Sequence, residues 1–300
     1  MTHSSAKHFS MILIIILGVM TAFGPLTIDT YTPSLPKVQH DFGTTTSEIQ
    51  LTLSFAMIGL ALGQFLFGPI SDVFGRKRIA TILMMIYLVA TFLSIFTGHL
   101  TLFLILRLIQ GLTSGGAIVI AKASVGDKYH GNELAKFLAS LMVVNGIISI
   151  LSPLLGGFVL SISNWRMIFA FLTLIAFIVL IGIFLKMPAH TQTMQTRLQF
   201  KDILKDFLYL LKKPTFVIPM LLQGLTYVML FSYSSASPFI TQKIYHMSAP
   251  QFSVMLAING VGLIIVSQIV ALLVEKISRQ KLLIYLTIVQ IVGTVSYTHL

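Results

Sequence analysis

The chain contains no cysteine, so its sequence excludes both a disulfide framework and a metal site built from thiolates. Charged residues are also scarce: they make up 10% of the 300 residues, whereas soluble globular domains carry about 25%. Hydrophobic residues, in contrast, make up 56% of the chain. This balance excludes an ordinary soluble domain and predicts an integral, all-α membrane protein whose main partner is the lipid bilayer.

Patterns typical of enzymes are missing as well. The eight histidines are scattered in the termini and loops and show no spacing typical of a metal site. No phosphate-binding loop of the Gly-x-x-x-x-Gly-Lys-Ser/Thr type occurs in the sequence. We therefore expect no enzyme activity, no metal, no cofactor and no direct use of ATP.

Long apolar runs dominate the sequence and predict nine membrane helices, each close to the ~20 residues that cross a bilayer. The first run, residues 9–31, is too long for a signal peptide and has no cleavage site, so we interpret it as a retained helix. A polar loop is predicted at residues 32–48. The remaining helices are predicted at residues 49–70, 79–97, 101–121, 134–160, 165–186, 214–240, 249–274 and from 282 onward.

The basic residues are distributed unevenly between the two sides of these predicted helices. Of the 20 lysines and arginines, 16 lie in segments on one side, three lie on the other side, and Arg107 lies inside a helix. Because the cytoplasmic loops of membrane proteins are rich in lysine and arginine, the N-terminus is predicted to be cytoplasmic. This topology also explains the net charge of +11, so nucleic-acid binding is not expected.

A polar stretch at residues 187–213 divides the chain into six helices (1–186) and three helices (214–300). Its second part, residues 202–213, has apolar residues at helical spacing, which predicts an amphipathic helix on the cytoplasmic membrane surface. If the second group also had six helices like the first, the chain would need roughly 100 more residues. We therefore expect a C-terminally truncated fragment, with a complete N-terminal bundle and a partial C-terminal bundle.

A distinctive motif lies between the second and third predicted helices and contains Gly68, Asp72, Gly75, Arg76 and Lys77. A connection this short makes the two flanking helices antiparallel neighbours. One interpretation is a topology signal, since any multi-pass protein can carry cations on its cytoplasmic side. The alternative interpretation is a family motif.

Two ionisable residues lie within predicted membrane helices: Asp29 near the outer end of the first helix, and Arg107 in the fourth. Such residues are costly in a bilayer and are therefore candidates for a function. At 1.5 Å per residue their predicted depths differ by only ~6 Å, a gap that a long arginine side chain can cover. Alternatively, Asp29 is simply hydrated at the helix end, and Arg107 extends outward to lipid headgroups.

The fifth predicted helix carries Pro153, Gly156 and Gly157, with Asn145 about two turns earlier. Proline and paired glycines kink or break a membrane helix. The sequence leaves open whether this segment is a packing kink or a hinge used in gating.

Together these segments resemble the major facilitator superfamily, in particular drug:proton antiporters of the bicyclomycin-resistance (Bcr/CflA) branch. The motif that starts at Gly68 is similar to the loop between helices two and three of that family. Four more helices resemble it through Asp29-x-Tyr31-x-Pro33-x-x-Pro36, Arg107-x-x-Gln110-Gly111, Pro153-x-x-Gly156-Gly157 and Trp165-Arg166 with Phe169. The resemblance implies the major facilitator fold, with two six-helix bundles, in a monomer of the bacterial inner membrane.

The resemblance also implies a function: proton-driven export of small, often hydrophobic or cationic compounds by alternating access to a central cavity. The proton gradient would be the energy source. Asp29 would accept the proton or cation, with Arg107 as its partner. Three further residues are implied as candidates for lining the cavity: Tyr31, Gln110 and Asn145.

On the cytoplasmic side, the resemblance implies that Asp72, Arg76 and Lys77 latch the two bundles together in the outward-open state. It does not name the substrate, because one fold serves many functions. Two alternatives stay open: an exporter of sugars, amino acids or siderophores, and a membrane-embedded enzyme or assembly protein. The second would need clustered acid–base or metal-binding residues at an interface, which the sequence does not show.

Overall fold

The structure is a computed structural model that describes residues 11–188, 205, 207–273 and 277–298. In chain order the helices are α1 Met11–Thr21, α2 Phe23–Asp29, α3 Leu35–Phe42, α4 Thr46–Phe74, α5 Arg76–Phe96, α6 Leu100–Gly126, α7 Gly131–Ile162, α8 Arg166–Lys186, α9 Pro214–Phe239, α10 Ala249–Leu273 and α11 Arg279–Thr298. A 3₁₀ turn, Thr32–Ser34, precedes α3, and a π-helical segment, Ile240–Ile244, follows α9.

Seven of these helices, α4 to α10, are long and apolar enough to cross a membrane. Helices α1 to α3 together pass the same test as an eighth span that is bent by 48°. Helix α11 follows at the position of the ninth predicted helix. No β-strand occurs in the ranges that the structure describes. The prediction of an all-α, multi-pass membrane protein is therefore confirmed.

The polar loop predicted at residues 32–48 is wrong, because most of this segment is helical. Pro33 and Pro36 lie in the first turns of the 3₁₀ turn and of α3, where the missing N–H has no intrahelical partner to lose. Helix α3 ends at Phe42, and the next residue, Gly43, adopts the left-handed conformation with a φ of 59°. The prolines therefore start helices here instead of preventing them.

Helix α4 begins earlier than predicted because of local capping. Thr45 and Glu48 form a reciprocal capping box, in which the threonine hydroxyl accepts from the glutamate N–H at 3.2 Å. At the other end, Gly75 is the one residue that separates α4 from α5, and its φ of 91° favours glycine. The short connection makes α4 and α5 neighbours, as predicted from the sequence.

Helices α4 and α6 pack closely because glycines face the partner backbone on both sides. A Cβ atom added at any of four glycines would collide with a carbonyl oxygen of the facing helix. The pairs are Gly59 with Leu108, Gly63 with Leu112, Gly111 with Ala56 and Gly115 with Leu60. Small residues permit this close approach in membrane proteins.

Replacing Gly111 with alanine is expected to lower the free energy of unfolding by about 1–3 kcal/mol or more, because the new methyl group overlaps the Ala56 carbonyl. The measurement is thermal unfolding in detergent, followed by circular dichroism. Gly68→Ala is the matched control, since its Cβ would meet only a methyl group of Val119 at 3.7 Å. Equal stability of the two variants would contradict the close packing of α4 on α6.

Helix α10 packs along α7, from Ser253 beside Gly157 to Ile264 beside Gly146, whereas α9 contacts helices α1 to α8 mainly near one end of the molecule. Phe239 and Phe252 are buried there, whereas residues 218–230 of α9 are exposed. This end, where α3 meets α4 and α7 meets α8, is named the outer end below, following the prediction from the loop charges.

The predicted division of the chain at residues 187–213 stays a prediction, because most of that segment lies outside the described residues. Within it, residues 205 and 207–210 are helical. Helix α8 ends at Lys186, and α9 begins at Pro214.

Candidate functional site

Asp29 is the last residue of α2, about two turns after the break in the first span. From Met20 to Leu35, every side chain is buried except those of Pro25 and Asp29, which are half-buried. These two residues are four apart and therefore lie on the same face of the helix. The first span thus presents one carboxylate to an accessible space while its other faces are packed.

The predicted pair of Asp29 with Arg107 is absent from this structure. Within the described residues, the Asp29 carboxylate forms no ion pair, and Arg107 makes other contacts. Similar depth along two helices does not determine how either helix is rotated. Arg107 contacts the carbonyl of Thr27, which is two residues before Asp29. The side chains of Thr27 and Asp29 therefore point about 200° apart around the helix.

Arg107 lies within α6 and is fully buried. Its Nη2 donates to the carbonyl of Thr27 at 3.0 Å, and its Nη1 donates to Oε1 of Gln110 at 2.8 Å. The guanidinium carbon is 4.6 Å from the ring centroid of Tyr31, a distance typical of a cation–π contact. The alternative in which Arg107 extends outward to lipid headgroups is therefore wrong.

Tyr31 and Gln110 are both fully buried in this conformation. Their role in lining a cavity stays a prediction. The Tyr31 hydroxyl shares a hydrogen bond with Oγ1 of Thr52 at 3.1 Å, while its ring faces the guanidinium. Nε2 of Gln110 donates to the hydroxyls of Thr91 and Ser94, both at 3.2 Å. The two residues hold the buried arginine in one orientation.

The hydroxyl residues of this network are not singled out by the sequence. Hydroxyls are common in membrane helices, where they often bond to their own backbone. One signal does distinguish Thr91 and Ser94: they are three apart and so lie on one face of α5. A pair of this kind, in a helix beside a buried arginine, is a candidate for such a network.

Two polar atoms in this region are buried and have no hydrogen-bond partner among the described residues: Nε of Arg107 and Oγ1 of Thr30. Thr30 directly follows Asp29. Buried polar groups in proteins normally have partners, so these two atoms are exceptions in this region. No group of three histidine, aspartate or glutamate side chains in the described ranges could hold a metal ion.

Helix α7 continues through Pro153 without interruption. A Cβ at Gly156 would collide with the carbonyl of Thr30, and one at Gly157 would collide with the side chain of Ser253 on α10. These glycines therefore let α7 approach the first span and α10 at the same time. The segment is closely packed and unbroken, and its role as a hinge stays a prediction.

Asn145, the third predicted cavity residue, is half-buried on α7. Its Nδ2 donates to the carbonyl of Thr21 at 2.6 Å. The side chain therefore contacts the backbone at the break in the first span. Its role in lining a cavity stays a prediction.

The residues that connect α4 with α5 form a network within helices α1 to α8. Arg76 forms ion pairs with Asp72 and, at 3.0 Å, with Asp127 at the end of α6. Nζ of Lys77 donates to the carbonyl of Phe184 on α8 at 2.8 Å. Asp127 is a partner that sequence reasoning missed, because it is 51 residues from Arg76. The predicted latch between the two bundles stays a prediction.

At the outer end, side-chain hydrogen bonds join helices α1 to α8 to the region of α9 and α10. The bonds run from Gln50 to the Ser235 carbonyl at 2.9 Å, from Gln242 to the Pro33 carbonyl at 3.0 Å, and from Lys243 to the Gln39 side chain at 2.6 Å. A cleft of about 710 Å³ lies beside them, between α3, the α7–α8 turn and the segment after α9. These contacts tie the two parts together at this end.

Comparison with known proteins gives a consistent result. The sequence model of one protein family, the Major Facilitator Superfamily, matches residues 12–300 of the chain. The MFS-type transporter YdgK of Bacillus subtilis is 30% identical over 98% of this chain and 74% of its own length. The bicyclomycin resistance protein homolog of Haemophilus influenzae is 24% identical over 91% of this chain and 69% of its own length.

The fold is similar to that of a solved structure, a bacterial homolog of the human lysosomal transporter Spinster in an inward-facing, unoccupied conformation. The TM-score is 0.72 at 14% sequence identity, and the alignment covers 89% of this chain. It covers 63% of that protein, so the chain spans less than two thirds of its length. At this identity the likeness concerns the fold alone.

Proposed function

Because the chain belongs to the major facilitator superfamily of membrane transporters, we propose that it exports small drug-like compounds in exchange for protons. The match over residues 12–300 and the similar solved structure confirm the predicted major facilitator fold. The class of compound is supported by the relative that is named a bicyclomycin resistance protein homolog. Exchange with protons is supported by the surroundings of Asp29.

Asp29 is the observation that carries this proposal. It is a half-buried carboxylate in a membrane span, and it has no ion pair within the described residues. An isolated charge in such a place is costly, and binding of either a proton or a cationic compound removes that cost. Because one carboxylate cannot bind both at once, the two species compete, and their movements become coupled in opposite directions.

Arg107 has a supporting role in this scheme. Its guanidinium is held by Thr27, Gln110 and Tyr31 and does not contact the carboxylate. We infer that this buried cation anchors α2 against α6 through the Thr27 carbonyl. The helix that carries Asp29 then keeps a defined position while its accessible face binds and releases ligands.

The conformational change would follow the alternating-access scheme of the superfamily. The contacts made by Gln50, Gln242 and Lys243 close the outer end and would have to break when the site opens on that side. The network of Asp72 and Arg76 would then form the opposite closure. We propose that the protein works as a monomer in the bacterial cell membrane, with a cytoplasmic N-terminus and no bound cofactor.

The proposal is tested with purified protein in proteoliposomes that contain a pH-sensitive dye. Under an imposed proton gradient, cationic and neutral antibiotics are added one at a time, with protein-free vesicles as the control. Proton movement that depends on an antibiotic is the expected result. A signal with sugars, amino acids or siderophores only would assign the protein to another class of exporter. No signal with any compound would contradict proton exchange.

Asp72→Ala is expected to slow transport about fivefold, because loss of ~1 kcal/mol from one side of the conformational equilibrium shifts it by that factor. The free energy of unfolding should change little, since this ion pair lies near the surface. The measurement is the rate of compound-driven proton movement per inserted protein.

Asp127→Ala is the matched control for Asp72, because it removes the other carboxylate that pairs with Arg76. This variant should retain the parent rate. If both variants slow transport equally, Asp72 acts only by holding Arg76, and the proposed latch is wrong.

A further inference from the structure

The break in the first span has a cause in the sequence. In an α-helix the N–H of residue 25 would donate to the carbonyl of residue 21, but Pro25 has no N–H. Helix α1 ends at Thr21 and α2 begins at Phe23, so the chain breaks next to the carbonyl that loses its partner. A backbone carbonyl without a partner is costly inside a bilayer.

Asn145 supplies the missing donor from another helix. Its Nδ2 donates to the Thr21 carbonyl at 2.6 Å. About three turns further along α7, Gly156 packs against the carbonyl of Thr30. Helix α7 therefore contacts the first span on both sides of Asp29.

We propose that Asn145 is a positioning residue that clamps the break in the first span and so sets the direction in which Asp29 faces. The proposal rests on the proposed role of Asp29 in binding the proton. Pro25 and Asp29 lie on the accessible face of α2, and a register shift of one residue would turn that face by about 100°. The clamp acts through the backbone, so Asn145 need not contact the substrate.

The absence of cysteine from the chain makes a direct test simple. A single cysteine introduced by Asp29→Cys reports the accessibility of this face, through its rate of labelling with a water-soluble maleimide. Adding Asn145→Ala is expected to slow labelling about three- to fifteenfold, the effect of losing one hydrogen bond between membrane helices. This measurement requires no transport, so it stays valid if Asp29 is not the proton-binding residue.

A second variant separates the clamp from a general loss of structure. Pro25→Ala restores an N–H that can donate to the Thr21 carbonyl within the helix, so Asn145 is no longer needed. In the Pro25→Ala background, Asn145→Ala is therefore expected to change labelling by less than about twofold. Ser140→Ala on the same helix is the control, since its hydroxyl donates to the Lys136 carbonyl of its own helix, and it should have no effect.

Equal effects of Asn145→Ala in both backgrounds, or no effect in either, would overturn the clamp. If Asn145→Ala alone prevents insertion into the membrane, insertion of the protein that carries both Pro25→Ala and Asn145→Ala supports the clamp. Failure of both variants to insert overturns it.

In transport, Asn145→Ala should lower the maximal rate at an unchanged half-saturating compound concentration. Unchanged labelling would contradict the clamp alone, whereas unchanged proton coupling in Asp29→Asn would contradict the proposed function alone.

Discussion

Replacing Asp29 with asparagine is expected to reduce compound-driven proton movement to the level of protein-free vesicles, while the protein still inserts into the membrane. Asparagine has nearly the size of aspartate but does not exchange a proton at neutral pH, so the coupling step is lost. Since the carboxylate has no ion pair in the described residues, the change removes an uncompensated charge. The Tm in detergent should therefore be unchanged or higher.

Asp41→Asn is the matched control for this prediction. Asp41 lies at the outer end, where it accepts hydrogen bonds from Nε1 of Trp165 at 2.7 Å and from Arg166 at 3.3 Å. This variant should keep its proton signal and lose some stability, the reverse of the Asp29 variant. Retained proton movement in Asp29→Asn would remove Asp29 from the coupling path.

Arg107→Met is expected to lower the free energy of unfolding by about 2–3 kcal/mol and to abolish transport. The substitution leaves the Thr27 carbonyl and Oε1 of Gln110 without their donors, at a cost of about 1–3 kcal/mol for each buried group. Removing a buried charge offsets part of this loss, because its desolvation is no longer required. Thermal and denaturant unfolding in detergent, followed by circular dichroism, measures the change.

Two further variants sharpen the prediction for Arg107. Arg107→Lys should be intermediate, since an ammonium group lacks the planar fork that reaches two acceptors at once. Arg166→Met is the control at a more exposed site, where an ion pair contributes about 0–1 kcal/mol. If Arg107→Met unfolds at the parent midpoint, the buried network does not stabilise the fold.

Most helices are predictable from the sequence because their signal is local. The helix predicted at 214–240 is observed as Pro214–Phe239, and the one predicted at 165–186 as Arg166–Lys186. The first span is the exception. Hydropathy finds its length but not its break, since the break depends on one proline and on a donor from another helix.

The candidate site is predictable only in part. Asp29 and Arg107 can be identified because an ionisable residue is unusual in an apolar span. Their expected pairing is absent from this structure, and the side chains of Tyr31 and Gln110 instead contact the arginine. Depth along a helix is encoded in the sequence, whereas the contacts of a side chain also depend on the neighbouring helices.

The sequence by itself determined that this protein is a multi-pass helical membrane protein, that its basic residues gather on one side of the predicted helices, and which family it resembles. These properties follow from apolar length, loop charge and short motifs, and each of them is local in the chain. Only the tertiary structure decided that Asp29 forms no ion pair within the described residues, that Arg107 is enclosed by polar partners, and that Asn145 binds the break. Each helical residue turns its side chain by about 100°, so small differences in rotation and crossing decide which polar groups meet.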